Sequence, residues 1–188
     1  MKIYKLFSFV VAFCLLSTAV FASNPESKYY FYGIDFSHMK VYGAAEPEVD
    51  FERSVGGINM LFKIEPNKYN VSKMFKQKYE LCIDYMIEYN KSADFSNIKV
   101  STPAIEMLNI DEIIAAYELP HKSGKGAIII TRMLNKAGEV GIFNIVVFDV
   151  ETRVIERCVT VEGEPGGYGL RNYWAASVCE ILRNSRIY

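Results

Sequence analysis

Between Lys125 and Arg183 the chain carries three closely spaced apolar runs followed by one helical stripe, an order that few folds can accommodate. The runs Gly126–Leu134, Val140–Val150 and Arg153–Val161 read as consecutive strands, each bounded by turn residues. Asn135-Lys136-Ala137-Gly138-Glu139 reads as a hairpin loop whose glycine can supply the positive φ such a turn needs. A second tight turn falls over Asp149–Arg153. The middle strand is apolar on both faces across Ile145-Val146-Val147-Phe148, which predicts a central, covered position. Glu156, Arg157 and Thr160 wet the third strand and predict a sheet edge. After the glycine-rich Gly163–Gly169, residues Leu170, Tyr173, Trp174, Ser177, Val178, Ile181 and Leu182 recur at helical spacing. They predict a helix over Leu170–Arg183 that lies flat on the sheet and buries Trp174.

Upstream the signals are weaker. Lys28–Phe36 is aromatic and fits a first strand. Phe51, Val55, Ile58 and Phe62 give Glu48–Ile64 a helical period, with Gly56-Gly57 predicting either close approach to the sheet or a break. Tyr79, Leu81, Ile83, Tyr85, Ile87 and Tyr89 alternate without a miss, so Tyr79–Asn90 is expected to be a strand with one wetter face. Asn109-Ile110-Asp111-Glu112 has the form of a capping box, opening a short helix that buries Ile113, Ile114 and Tyr117 and stops at Pro120. The element order is then β-α-β-α-β-β-β-α. It describes one α/β domain with a mixed, mainly antiparallel sheet of about five strands, with helices packed on it.

The first residues have a different character. Lys2 and Lys5 precede an apolar run over Leu6–Leu16, and Ser17–Ala22 is small enough for cleavage before Ser23. Residues 1–22 therefore read as a cleavable secretory signal and 23–188 as the domain. The run falls short of the ~20 residues of a membrane span, and Phe13 before Cys14 does not make a lipobox. The expectation is a periplasmic or extracellular protein with no stable membrane insertion. A net charge of −1 without any basic run argues against nucleic acid as a partner.

Outside that segment lie Cys82, Cys158 and Cys179. An oxidising compartment allows one disulfide, and Cys158 with Cys179, on a strand and on the helix packed near it, is the pair to test. The alternative is three small buried apolar residues. There is no C-x-x-C, and His38 and His121 are far apart in sequence, so neither metal nor cofactor is expected.

Catalytic motifs are equally sparse. Neither G-x-S-x-G nor H-E-x-x-H occurs, and His121–Gly126 lacks the glycine spacing and hydroxyl residue of a phosphate-binding loop. Asp35 and Asp149 sit at predicted strand ends, as turn formers or as a carboxylate pair. Gly163–Gly169 is the better site: helix N-terminal amides favour anions, and Tyr168 offers an aromatic wall. Arg171 places a cation in the first turn, against the helix dipole. Either Glu162 or Glu164 compensates it, or Arg171 and Asn172 present donors to a ligand. Tyr168, Arg171, Asn172 and Asp35 are thus the candidate ligand- or partner-binding residues. Tyrosines are abundant, and those of Tyr29–Tyr32 and Tyr79–Tyr89 form either a second core layer or a recognition surface.

At GIDFS (Gly33–Ser37) and GGYGLRNYWAASV (Gly166–Val178) the chain resembles a group of small secreted bacterial proteins to which no activity attaches. Its element order also resembles the α/β module of the TolB N-terminal domain and of the curli-secretion lipoprotein. That resemblance implies a periplasmic binding or assembly role and transfers no functional residue. The expected function is therefore an exported, non-enzymatic binding or assembly module of the cell envelope. Its partner would be an envelope protein or a glycan, with homodimerisation through an edge strand also open. The competing expectation is an exported enzyme acting on glycan or peptide near Gly163–Gly169.

Overall fold

The computed structural model describes residues 28–187. The expected signal segment, residues 1–22, lies outside them. Among the described residues no helix is long and apolar enough to cross a membrane.

The strands are β1 (Tyr29–Asp35), β2 (Lys40–Tyr42), β3 (Glu80–Leu81), β4 (Lys125–Asn135), β5 (Val140–Asp149) and β6 (Ile155–Gly163). The helices are α1 (Glu48–Gly56), α2 (Leu61–Ile64), α3 (Ser72–Phe75), α4 (Ile83–Lys91), α5 (Ile110–Ala116) and α6 (Leu170–Asn184). One mixed sheet runs β3-β1-β4-β5-β6, with β2 pairing onto the far end of β4. The two longest ladders, β4–β5 and β5–β6, are antiparallel, whereas β1–β3, β1–β4 and β2–β4 are parallel. The β4-β5-β6 meander and α6 lie where the apolar runs and the helical stripe put them. β5 is central and β6 is the edge.

Strand alternation divides the core in two. Phe31, Ile34, Ala127, Ile129, Phe143, Ile145 and Val147 face α1, α2, α3 and α6, whose Phe51, Phe62, Phe75, Trp174 and Leu182 complete a largely apolar layer with Tyr69 and Tyr79 at its margin. Trp174 is 1% exposed. Two cross-strand glycines seat α6: Gly141 pairs with Gly163, and a Cβ on Gly163 would lie 2.3 Å from the Ser177 carbonyl oxygen. On the opposite face Tyr30, Tyr32, Ile128, Ile130, Val146 and Phe148 meet Ile114 and Tyr117 from α5 and its C-cap.

Register in β1 depends on Gly33. Phe31 pairs with Ala127 but Ile34 pairs with Ile129, so three steps along β1 oppose two along β4, a bulge. Gly33 has φ +109, and a Cβ there would stand 2.7 Å from Asn59 Oδ1. The extra residue returns Ile34 and Phe36 to the apolar layer and turns Asp35 to the other face. It also interrupts the ladder, and two buried amides repair the break. Asn59 accepts from Ile34 N at 2.7 Å and donates to Ile34 O at 2.8 Å. Asn90 donates to Ile34 O and accepts from Phe36 N, both at 2.8 Å. The GIDFS motif is therefore a built structural element.

One expectation is corrected. Tyr79–Asn90 is not a strand: only Glu80–Leu81 are extended, and α4 begins at Ile83. α4 lies along β1 at the sheet edge and packs against both cores, Ile83 and Ile87 in one and Met86, Tyr85 and Tyr89 in the other. A helix buried on two sides needs no single stripe, and its residues imitate the alternation of a strand. Over Glu48–Ile64 the helical period is interrupted, the second of the two outcomes that Gly56-Gly57 left open. It breaks after Gly56 and resumes at Leu61. Asn109 does cap α5, accepting from Glu112 N at 3.4 Å.

Candidate binding groove

The tyrosine-rich face is where polar chemistry collects. α4 presents Tyr85 and Tyr89 one turn apart, their rings stacked at 6.1 Å and 26°. Tyr117, just past α5, meets both edge-on at 6.3 and 5.2 Å. Tyr32 from β1 closes the cluster against Tyr85 at 6.1 Å. Such edge-to-face contacts set the positive rim of one ring against the negative face of the next.

Beneath the rings lies Asp35, 0% exposed. Tyr117 donates to its Oδ2 at 2.6 Å, the Ser37 amide donates to its Oδ1 at 2.7 Å, and His38 Nε2 stands 4.0 Å away. Burial first, and then the Asp35 charge, hold the Tyr117 phenol well above its ordinary range. Burial likewise raises Tyr32, Tyr85 and Tyr89, with Asp35 adding to the last. These hydroxyls stay protonated, as donors.

Tyr85 and Tyr89 are half-buried and line an open groove of about 920 Å³ between α4 and the segment from Ala116 to Pro120. Its lining is mainly apolar, while Asp84, Glu88 and Glu118 supply carboxylates. Asp84 pairs with Lys63 at 2.6 Å and Glu88 with Lys91 at 2.7 Å. Cys82, the N-cap of α4, closes one end; burial, with Glu80 and Asp84 nearby, pushes its thiol up to about 11.

The residues singled out around Gly163–Gly169 sit elsewhere, on the α6 side of the sheet. Tyr168 is 95% exposed. Arg171 donates through Nε and Nη2 to Asn172 Oδ1 at 3.2 and 3.0 Å, and Asn172 donates to Tyr168 O at 3.1 Å. The Arg171 stem lies over Gly57, whose Cβ would stand 2.9 Å from Arg171 Cδ. Neighbouring polar groups within the loop thus satisfy one another, and the cation is answered by an amide rather than by Glu162 or Glu164. Asp35 is not with them: it faces the other side of the sheet. Asp149 holds its own turn, accepting from Thr152 N at 2.9 Å and Glu151 N at 3.1 Å.

The three cysteines among the described residues are free thiols. Cys158 pairs across the ladder with Val146, on the tyrosine face, whereas Cys179 is buried in the apolar layer under α6. The Cys158–Cys179 bridge, the pair to test, is not made, because the sheet stands between them. The reading of three buried apolar cysteines holds for Cys179 alone, since Cys158 is exposed and Cys82 half-buried. Sequence reasoning passed over Asn59 and Asn90 and took Tyr117 for a core residue without its bond to Asp35; all three roles depend on the Gly33 bulge. Compared with protein-family models, with curated proteins and with solved structures, the chain finds no match in any of the three.

Proposed function

We propose that the protein is an exported, non-enzymatic binding module of the cell envelope, and that the Tyr85–Tyr89 groove is its contact surface. The observation that carries this reading is the pair of stacked, half-buried phenols walling an open apolar groove with carboxylates at its border. Tyrosine suits such a surface because a flat apolar body and a polar tip are delivered with little rotamer entropy lost. The occupant this chemistry fits is a segment of a partner protein carrying an apolar anchor beside basic side chains. The anchor would lie on the rings and the basic groups against Glu118, and against Asp84 and Glu88 in exchange for their exposed pairs with Lys63 and Lys91.

The enzyme reading has less support. At Gly163–Gly169 the donors bond to one another instead of converging on a cleft. At the groove the buried carboxylate is capped by Tyr117 and lies beneath the rings, away from the groove surface.

The test is capture from the envelope fraction of the producing cells, comparing the purified protein with Tyr85→Ala/Tyr89→Ala and with Glu88→Lys/Glu118→Lys. The second variant alters only exposed side chains and so should keep the fold. The expected result is one partner retained by the unaltered protein and lost from both variants. Equal capture by all three overturns the groove. Catalytic release of product from envelope glycan or peptide would overturn the non-enzymatic reading instead.

A further inference from the structure

We propose that Glu80, Cys82 and His121 form a site for a divalent transition-metal ion of the zinc class. One ligand atom from each of these side chains lies within 4.8 Å of the other two. A tetrahedral zinc with bonds of about 2.0–2.3 Å holds its ligand atoms about 3.3–3.8 Å apart. Closing the difference takes an adjustment of about 1 Å, within reach of an exposed glutamate and a thiol on a single rotatable bond. A carboxylate, a thiolate and an imidazole together are a borderline-soft set. It suits zinc over calcium or magnesium, which favour oxygen alone.

Two of the ligands are held by the backbone. Glu80 pairs with Tyr30 in the β1–β3 ladder, and Cys82 N donates to Phe31 O at 2.8 Å. Residues two apart along an extended ribbon point to the same side, which brings Glu80 and Cys82 together. Cys82 is also the N-cap of the nine-residue α4, so its backbone is fixed where the strand hands over to the helix.

The third ligand has the support that metal-binding histidines usually have. His121 Nδ1 lies 3.2 Å from the hydroxyl of Tyr32, which is 0% exposed. With Nδ1 engaged by that contact, Nε2 is the nitrogen that would be offered to the ion. The Tyr30 ring stacks on the imidazole at 3.7 Å and 14°, fixing its plane. Glu80 is exposed and Cys82 and His121 are half-buried, so an ion has a way in. Because Cys82 also lines the groove, the fourth coordination position is available to water or to a donor from the groove's occupant. The site stands whether or not the groove binds a partner.

The experiment is titration of untagged, reduced protein with Zn²⁺ against a chromophoric chelator, repeated with Co²⁺ to read the thiolate-to-cobalt charge-transfer band. One ion per chain is expected. Cys82→Ser and His121→Ala should each weaken it about 100-fold, and Glu80→Gln and Tyr32→Phe about 10-fold. Cys158→Ser, which removes the exposed thiol, should bind normally and keep the cobalt band that Cys82→Ser loses. Absence of stoichiometric binding overturns the proposal, as does a cobalt band that survives Cys82→Ser. Should Cys82→Ser or His121→Ala fail to fold, Glu80→Gln decides, since it changes one exposed side chain: unaltered zinc affinity in that variant overturns the triad.

Discussion

The two faces of the sheet are made by the same strands and have opposite chemistry. Under α6 the layer is mainly aliphatic residues, Phe and Trp, with Tyr69 and Tyr79 its buried tyrosines and Trp174 sealed within it. On the other face the large residues are tyrosines, a buried carboxylate lies beneath them, and a groove opens beside them. Alternation along β1 assigns Phe31 and Ile34 to one face and Tyr32 and Asp35 to the other, with the Gly33 bulge correcting the parity. The difference teaches a division of labour. An apolar layer stabilises through area removed from water and has nothing to offer a ligand. A tyrosine layer contributes less, because each phenol must keep a partner for its hydroxyl, and in exchange it presents donors and flat rings.

The comparison predicts a ranking, which melting and denaturant titration of single variants can break. Trp174→Ala should cost most, about 3–5 kcal/mol, since it opens a cavity in the sealed layer. Next comes Asn90→Ala, at the β1 edge where the two layers meet. It strands the Phe36 amide and removes one of the two amide donors to Ile34 O. A loss of about 2–4 kcal/mol is expected, and a value below 1 would mean that the bulge does not need its clamp. Tyr117→Phe follows at about 1–3 kcal/mol, because the buried Asp35 carboxylate loses a donor while the ring stays. Should Tyr117→Phe prove as costly as Trp174→Ala, the tyrosine face would be as much a stability element as the other, and the division of labour would fail.

The same contrast explains what could be read in the sequence. The β4-β5-β6 meander and α6 were legible because each buries one regular stripe or a continuous run, and periodicity reports such patterns. α4 was not legible. It wedges between two layers, so Ile83 and Ile87 serve one while Tyr85 and Tyr89 serve the other, and the result counts as alternation. Tyr85 and Tyr89 could still be singled out as candidates for a recognition surface, because a tyrosine's chemistry does not depend on its element. The Asp35–Tyr117 contact could not be foreseen, since it joins residues far apart in sequence through a parity shift that only the folded register reveals. Cys158 and Cys179 mislead for a related reason. Proximity of strand and helix says nothing until the covered face of the strand is known.

The smallest expected effect lies outside both layers and calibrates them. Asp149 closes the β5–β6 turn, where the Thr152 amide above all, and then the Lys125 ammonium, hold its carboxyl down at about 2 from an ordinary 3.8. A depressed carboxyl contributes stability that is fully present above its unfolded value and is lost as pH falls through the folded one. The stabilisation is therefore complete above about pH 4 and disappears towards pH 2. Asp149→Asn should remove the charge and leave an oxygen for the Thr152 amide. It should cost under about 1 kcal/mol at neutral pH, because the ion pair with Lys125 is partly solvated. Against wild type, its deficit should shrink as pH is lowered and vanish near pH 2. A deficit that stays constant with pH would assign the effect to turn geometry and not to charge. A neutral-pH deficit as large as that of Tyr117→Phe would show that burial is not what makes Asp35 costly to disturb.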